Sequence, residues 1–198
     1  KLTDKGVVGF FKGLTESLDL QLGAGLRYID LSSNIHLGGP PIAALAEYEF
    51  KAQTLNGKGI EHLKLNGLSM VTAEALMYMW MACTSIKYFS MAVEMSSTVT
   101  HRKSMMPHIS DQILIDAQYN SLVDVSLSGC SLITDNGVCS LIEKCCKQLK
   151  SVDLSYINGI TDMTLYHLAQ YTGETLHHLN IGGCNKVTNH GIIALCTD

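Results

Sequence analysis

The chain has little charge, no long apolar run and no dense basic stripe, and each absence argues against a class of protein. Its 198 residues are 46% hydrophobic and only 16% charged. No apolar stretch approaches the roughly 18–20 residues that a membrane-spanning helix needs. The net charge is −4, and the tightest basic cluster is His101-Arg102-Lys103. We therefore expect neither a membrane nor a nucleic acid as a partner.

The sequence also lacks the cysteine spacing of disulfide frameworks and zinc sites. It has seven cysteines, an odd number, and no C-x-x-C pair, although Cys145 and Cys146 are adjacent. The cysteines coincide with expected core positions, where free thiols are often buried. We expect free, buried thiols and a cytoplasmic protein, in the cytosol or the nucleus. The chain starts at Lys1 without a recognisable secretory leader.

Three segments of the chain repeat at a period of 27 residues, each with the pattern apolar-x-x-apolar-x-apolar. They begin at Leu122, Leu149 and Leu176. A threonine follows seven residues beyond the third apolar position, at Thr134, Thr161 and Thr188. This period and pattern are typical of a leucine-rich repeat, with one short strand and one helix in each turn of a solenoid. The predicted fold is an α/β horseshoe arc with parallel strands on its concave face and helices on its convex face.

Three weaker copies of the pattern precede the regular ones and begin at Leu26, Ile60 and Ile86. The third apolar positions are separated by 34 residues from Leu31 to Leu65, 26 to Met91 and 36 to Leu127. Two repeats therefore carry insertions of about nine residues, which solenoids accept in their loops. Thr3-Asp4-Lys5-Gly6 matches the start of a helix in a partial repeat. We predict one domain over residues 1–198, with about six strand–helix repeats plus a partial N-terminal one and an irregular insertion over residues 93–108.

A hydroxyl residue and often an aspartate mark the start of each predicted helix. The hydroxyl can cap the first free amides, and the predicted caps are Thr3, Thr72, Ser110, Thr134, Thr161 and Thr188. The carboxylate suits the positive end of the helix dipole, and it occurs at Asp4, Asp111, Asp135 and Asp162. Gly38-Gly39-Pro40-Pro41 opens the second helix, with proline in the first turn.

Residues 127–138, Leu-Ser-Gly-Cys-Ser-Leu-Ile-Thr-Asp-Asn-Gly-Val, resemble the cysteine-containing leucine-rich repeat of F-box/leucine-rich-repeat proteins. The repeats are similar also to leucine-rich-repeat subunits of the axonemal dynein regulatory complex. The first resemblance implies a domain that holds a target, while an F-box upstream of these residues recruits a cullin-type ubiquitin ligase core. The second implies a scaffold among neighbouring subunits of a large assembly in the cytoskeleton or axoneme. The resemblance is strong over residues 122–198 and weaker over 26–91.

Side chains between the core positions of each strand should project from the concave face. This set is polar and mildly acidic, with tyrosines and histidines at intervals, and it gives our candidate protein-binding residues: Tyr28, Asp30, His62, Lys64, Asn66, Tyr88, Ser90, Asp124, Ser126, Ser151, Asp153, His178 and Asn180. One interpretation is a docking surface for a basic or hydroxyl-rich protein segment. The alternative is an ordinary solvated sheet face whose partner binds elsewhere.

A second candidate contact lies on the helix predicted over residues 72–84. Its core stripe takes Leu76, Met79, Trp80 and Cys83, which directs Met77, Tyr78 and Met81 outward. Exposed methionine-rich patches often form adaptable contact surfaces. The alternative is that a neighbouring insertion covers these residues. The stretch 93–108 is either a functional loop or an idle one.

No catalytic or metal-binding constellation stands out in the sequence. His177 and His178 are adjacent on a strand, so they should point to opposite faces and cannot share one ion. Cys184 falls at a turn position of the repeat, where a structural role is expected. No zinc-protease, phosphate-loop or serine-hydrolase motif occurs. We therefore expect a non-enzymatic protein-binding domain without a cofactor or metal.

Overall fold

The computed structural model describes residues 1–19, 25–56, 59–93, 109–118, 121–145 and 147–197. Within them, helices and three-residue strands alternate along the chain. Their bounds are α1 (Asp4–Asp19), β1 (Tyr28–Asp30), α2 (Gly39–Asn56), β2 (His62–Lys64), α3 (Ala73–Ala82), β3 (Tyr88–Ser90), α4 (Asp111–Asp116), β4 (Asp124–Ser126), α5 (Asp135–Cys145), β5 (Ser151–Asp153), α6 (Asp162–Thr172), β6 (His178–Asn180) and α7 (Asn189–Thr197).

The six strands form one parallel sheet in chain order, from β1 to β6. Every neighbouring pair is in the register that the repeat predicts, which places the central apolar residues of the strands in one row: Ile29, Leu63, Phe89, Val125, Val152 and Leu179. Side chains alternate across a strand, so this row faces the helices and the flanking residues face the opposite side. The predicted α/β leucine-rich-repeat arc, with strands concave and helices convex, is confirmed.

One continuous apolar core lies between the sheet and the helices. The predicted stripe of α3 is buried in it, and Trp80 packs edge-on against Phe89 at 4.4 Å between ring centroids. Burial decreases toward the C-terminal end of the described chain, where Leu176, Leu179 and Ile181 are only half-buried. The shared core makes each repeat depend on its neighbours.

The turns that follow the strands bury the recurring cysteines. The Cys130 thiol donates to the carbonyl of Met91 at 3.2 Å, and the Cys184 thiol donates to the carbonyl of Leu154 at 3.1 Å. Burial raises the pKa of Cys130 to about 12, so this thiol stays protonated. The prediction that all thiols are buried is wrong at two positions. Cys139 is half-buried because it lies outside the buried stripe of α5, and Cys196 on α7 is exposed.

Each carboxylate of the threonine–aspartate step binds the start of the next helix, a role beyond the predicted one at its own helix dipole. Asp135 accepts bonds from the backbone and hydroxyl of both Thr161 and Thr164, at 2.6–3.2 Å. The Thr134 amide donates to Asp111 at 2.7 Å, and the Thr188 amide donates to Asp162 at 2.6 Å. These contacts join consecutive repeats. We call the contacts of Asp111, Asp135 and Asp162 with the next helix the rungs.

The hydroxyl caps are mostly as predicted. The hydroxyls at Thr3, Thr72, Thr134, Thr161 and Thr188 each accept a bond from an amide two or three residues ahead, in the first turn of their helix. The prediction for Ser110 is wrong, because its side chain makes no capping bond. There the backbone of Ser110 forms an isolated parallel bridge with Leu132 instead.

Of the predicted insertion over residues 93–108, the structure describes Val93 alone. The Val93 amide donates to the carbonyl of Ser128 at 2.8 Å and therefore still follows the sheet. Residues 94–108, which contain the basic cluster at 101–103, lie outside the described residues, as does Cys146. In the described ranges, no helix has the length and apolar character required to cross a bilayer.

Candidate binding face

The parallel register brings the predicted binding residues into two rows across the concave face. The first row is Tyr28, His62, Tyr88, Asp124, Ser151 and His178, and the second is Asp30, Lys64, Ser90, Ser126, Asp153 and Asn180. Asn66 lies two residues beyond Lys64, just after β2, and adds one more polar side chain to the face. These thirteen residues were predicted as one surface, and the structure places them together on it.

Three aromatic rings of the first row lie side by side on β1, β2 and β3, with His62 and Tyr88 stacked and Tyr28 tilted by 40° to His62. His62 and Tyr88 are nearly parallel, with 4.1 Å between ring centroids and 5° between ring planes. Tyr28 lies on the other side of His62 at 5.7 Å. The two tyrosines remain 53% and 39% exposed, respectively. We call Tyr28, His62 and Tyr88 the aromatic stack.

Charged side chains border the aromatic stack. Arg27 and Lys87 both bind Glu61, at 2.6 and 3.1 Å, and form a chain of ion pairs across the three strands just before they begin. The Lys64 ammonium lies 6.0 Å from the centre of the Tyr28 ring. Although partial desolvation of Asp30 acts to raise its pKa, hydrogen bonds from Ser32 and the nearby Lys64 charge lower it below the ordinary value.

Toward β4 and β5, the polar side chains bind each other rather than remaining open. The Ser126 hydroxyl donates to Asp153 at 3.3 Å, and Ser155 donates to the same carboxylate from its amide and hydroxyl. Ser128 and Ser155 lie 2.8 Å apart. Such hydroxyls can still accept bonds from a ligand, but they no longer stand as free donors. The open part of the face is therefore the aromatic stack and the residues next to it.

The structure corrects one residue of the second predicted contact. Met77 is half-buried and packs against the core, because α3 turns this edge toward its neighbours. Tyr78 and Met81 are exposed as predicted, Met81 by 71%. Phe50 on α2 is exposed by 67%. The convex face thus carries apolar side chains at several points.

The chemistry of the described residues offers few groups for catalysis. No set of three or more histidine, cysteine or acidic residues in the described ranges could hold a metal ion. His177 and His178 are both exposed. Burial raises the pKa of the Cys184 thiol, which is the opposite of what a nucleophile needs.

One exposed aromatic residue of this region was missed at the sequence level. Tyr156 follows β5 with a φ of 60°, a conformation that bulky side chains rarely adopt. The equivalent residues of other repeats are Gly67, Gly129 and Gly183, which also have positive φ. A tyrosine in a column that is otherwise mostly glycine was the signal that could have identified it.

Comparisons with known proteins support the fold and no closer relationship. No model of a known protein family matches the chain. The structure is similar to Rad7, solved in complex with Elc1 in yeast, with a TM-score of 0.68 and 19% sequence identity, covering 96% of this chain and 42% of Rad7. The chain therefore spans less than half the length of that protein. The C-terminal domain of tropomodulin from Caenorhabditis elegans aligns at a TM-score of 0.47 and 10% identity, covering 96% of this chain and 89% of that one, which is too distant to establish a shared fold.

Proposed function

We propose that this domain is a non-catalytic binding module whose concave face holds a segment of a partner protein. The single observation that carries the proposal is the exposed aromatic stack on β1, β2 and β3, beside a part of the sheet face where Ser126, Asp153 and Ser155 bond each other. Tyrosine rings contribute large contact area at low entropic cost, and they are enriched at protein interfaces. Tyr28 and Tyr88 remain 53% and 39% exposed, so a partner would bury further ring surface there.

The finer proposal is that the domain recognises the substrate of an F-box-type ubiquitin ligase. Its support is the resemblance of residues 127–138 to the repeats of F-box/leucine-rich-repeat proteins. The arc is also shared with Rad7, a protein solved with another protein bound. The six described cysteines are free, which suits a reducing compartment such as the cytosol or nucleus.

The test is affinity capture of the tagged protein, expressed in full in its native cells, as wild type and as two variants. The first variant replaces the aromatic stack by Tyr28→Ala, His62→Ala and Tyr88→Ala. The second replaces exposed convex residues by Tyr166→Ala and Tyr171→Ala and serves as the control. We expect cullin-type ligase subunits with all three proteins, and loss of a further bound protein with the first variant alone. Absence of ligase subunits contradicts the ligase role, and equal capture by both variants contradicts concave docking.

A second candidate is a scaffold subunit of a large assembly, such as an axonemal complex. The exposed Phe50 and Met81 on the convex helices favour it, because a scaffold is covered on several sides. Under this proposal, the variant Phe50→Glu with Met81→Glu releases the protein from its assembly, as seen by sedimentation of cell extracts. The concave variant stays assembled. The reverse pattern rejects the scaffold role.

A further inference from the structure

We infer that the concave face binds an arginine side chain of the partner segment in the space beside Tyr88 and above Asp124. The inference rests on the proposed function, since it names the chemistry of the segment that the face would hold. Within the described part of the chain, it follows from one uncovered face of the Tyr88 ring, from the Asp124 carboxylate, which has no bonding partner there, and from the short side chain of Ser151. We call this space the arginine slot.

Tyr88 presents one face of its ring to the arginine slot. His62 covers the opposite face, with parallel rings at 4.1 Å. Because β3 lies between β2 and β4 in the sheet, the face turned away from His62 is directed toward β4. The register neighbour of Tyr88 on β4 is Asp124. A flat group placed above Asp124 would therefore stack on the tyrosine.

Asp124 differs from the other acidic residues of the two rows in having no bonding partner among the described residues. Asp30 accepts a bond from the Ser32 amide at 2.9 Å, and Asp153 accepts bonds from Ser126 and Ser155. The half-buried Asp124 carboxylate makes no hydrogen bond or ion pair with any residue that the structure describes. A carboxylate beside an aromatic ring in a partly desolvated surface attracts a cation that can satisfy both oxygens.

The neighbouring side chains leave room for such a cation. Ser151 follows Asp124 in the row, and its side chain is short, whereas the exposed His178 stands one strand further along. Adjacent strands are about 4.8 Å apart, so a group above Asp124 lies near stacking distance from Tyr88. The arginine slot is thus bounded by Tyr88 on one side and by His178 on the other.

Charge and shape select arginine over lysine. A guanidinium is flat, stacks on tyrosine and can bind a carboxylate through two parallel hydrogen bonds, which an ammonium cannot do. The described basic residues next to the row of Tyr88 and Ser151 do not occupy the slot: Lys87 binds Glu61 at 3.1 Å, and strand alternation directs Lys150 away from the row of Ser151. The chain is acidic overall, with a net charge of −4, which favours approach of a basic segment.

The test is a nuclear magnetic resonance titration of the intact protein with three capped pentapeptides that differ only in their central residue. The central residues are arginine, citrulline (the neutral isostere of arginine) and lysine, each flanked by two glycines on either side. We expect the arginine peptide to bind about tenfold more tightly than citrulline, with the largest shifts at Tyr88, Asp124 and Ser151. Lysine should fall between them.

Three variants test which residues cause the preference for the arginine peptide over the citrulline peptide. Asp124→Asn should abolish the preference for arginine over citrulline, and Tyr88→Leu should reduce it. The matched control Asp30→Asn removes a concave carboxylate outside the slot and should leave the preference unchanged. Melting temperatures within a few degrees of wild type verify that the variants fold. Equal binding of arginine and citrulline, or arginine shifts centred on Asp30 or Asp153, would overturn the inference. If the capture experiment still maps a partner to the aromatic stack, only the arginine slot is rejected and concave docking stands.

Discussion

Single residues in the turns after the strands decide how closely consecutive repeats can approach. Gly183 has a φ of 76°, and a Cβ atom there would lie 2.5 Å from the ring of Tyr156 in the preceding repeat. The ring of Tyr156 occupies the space that a side chain at Gly183 would need. Backbone conformation therefore favours glycine at this position, and the contact with Tyr156 leaves no room for a side chain.

We predict that Gly183→Ala lowers the free energy of unfolding by about 2 kcal/mol, since it adds a left-handed strain and a steric clash. Gly182→Ala is the matched control, because its Cβ would meet only the movable amide of Asn180 at 3.3 Å, and its φ is not positive. Urea denaturation of both variants measures the difference. Equal stability of the two would show that the Tyr156 contact is not tight in solution.

A buried carboxylate at the entry to β2 links stability to pH. Glu49 is fully buried, and both of its oxygens accept the Ile60 amide, at 2.9 and 3.0 Å, while Gln53 donates to it at 2.8 Å. Burial raises the pKa of Glu49 above its ordinary 4.5, and the hydrogen bonds only partly offset this effect. The folded state therefore favours the protonated acid more than the unfolded chain does.

The sign of the resulting pH dependence follows from linkage. The stabilising contribution of a raised pKa is complete below pH 4.5 and is lost as the pH rises through the higher folded value. We predict that Glu49→Gln removes this loss, so that the variant gains stability relative to wild type between pH 4.5 and neutral pH. Urea midpoints across this range test it. A constant difference between the two proteins would contradict a raised pKa.

At the scale of the elements, the rungs connect the starts of consecutive helices in the C-terminal half. Each aspartate lies in the first turn of one helix and binds the first amides of the next, where the dipole is also positive. The glycine of the Thr-Asp-x-Gly step makes room for this carboxylate. A Cβ on Gly137 would lie 2.4 Å from Asp111. At Thr164, which replaces that glycine in α6, the hydroxyl donates to Asp135 at 2.6 Å.

We predict that Asp135→Ala destabilises the protein by about 2 kcal/mol, because it removes the carboxylate that accepts bonds from the Thr161 amide and from the hydroxyls of Thr161 and Thr164. Asp116→Ala is the control, since exposed Asp116 bonds, among the described residues, to Gln112 alone, and its loss should change stability by less than about 0.5 kcal/mol. Thermal unfolding measures both variants.

The contribution of Asp135 to stability also depends on pH. Although burial acts to raise its pKa, the four threonine bonds lower it below the ordinary 3.8. The contribution is therefore present above pH 3.8 and is lost on further acidification. If Asp135→Ala is as stable as wild type at pH 7, the contact between Asp135 and the start of α6 does not stabilise the protein.

Sequence patterns predicted the strands and their register because every repeat carries the same strand pattern, in which alternate residues are buried. They also placed the stripe of α3, from Leu76 to Cys83, correctly. The prediction that Met77 faces outward was wrong. The burial of this side chain depends on how neighbouring helices flank α3, and the pattern within one helix does not reveal that. The carboxylate roles were incomplete for a related reason. Asp135 binds residues 26–29 positions away, and only the depth of stacking between repeats decides that contact.

The aromatic stack was also predictable in part: the side of the sheet on which each ring lies, but not the contact between rings. Each ring was predicted on the concave face, but the repeats that carry Tyr28, His62 and Tyr88 are separated by unequal intervals. Whether the rings touch depends on side-chain rotamers and strand spacing, which the sequence does not specify. The sequence therefore predicted that the three rings belong to one row of the concave face, but it did not predict that they touch.

At the scale of the whole molecule, the shared core predicts that damage spreads to both neighbours of an altered repeat. Leu154 is buried between the repeats of β5 and β6, and its carbonyl accepts the thiol of Cys184. Leu154→Asp should reduce stability by more than about 3 kcal/mol, because it buries an unpaired charge. Hydrogen exchange should accelerate in β4 and β6 together, since repeats are stabilised through their interfaces.

The control for this prediction is Met163→Asp, which adds the same charge at an exposed position in the first turn of α6. It should leave stability within about 0.5 kcal/mol of wild type. Exchange that accelerates only in β5 of Leu154→Asp would show that the repeats unfold independently.

The central claim is that a partner protein lies on the concave face, and site-specific photo-crosslinking in cells tests it most directly. A photoreactive phenylalanine analogue replaces Tyr28 or Tyr88 on the aromatic stack, or the exposed Tyr166 on convex α6 as the reference position. We predict a common crosslinked partner from both concave positions and none from Tyr166. Crosslinks from Tyr166 alone, with none from Tyr28 or Tyr88, would contradict the claim.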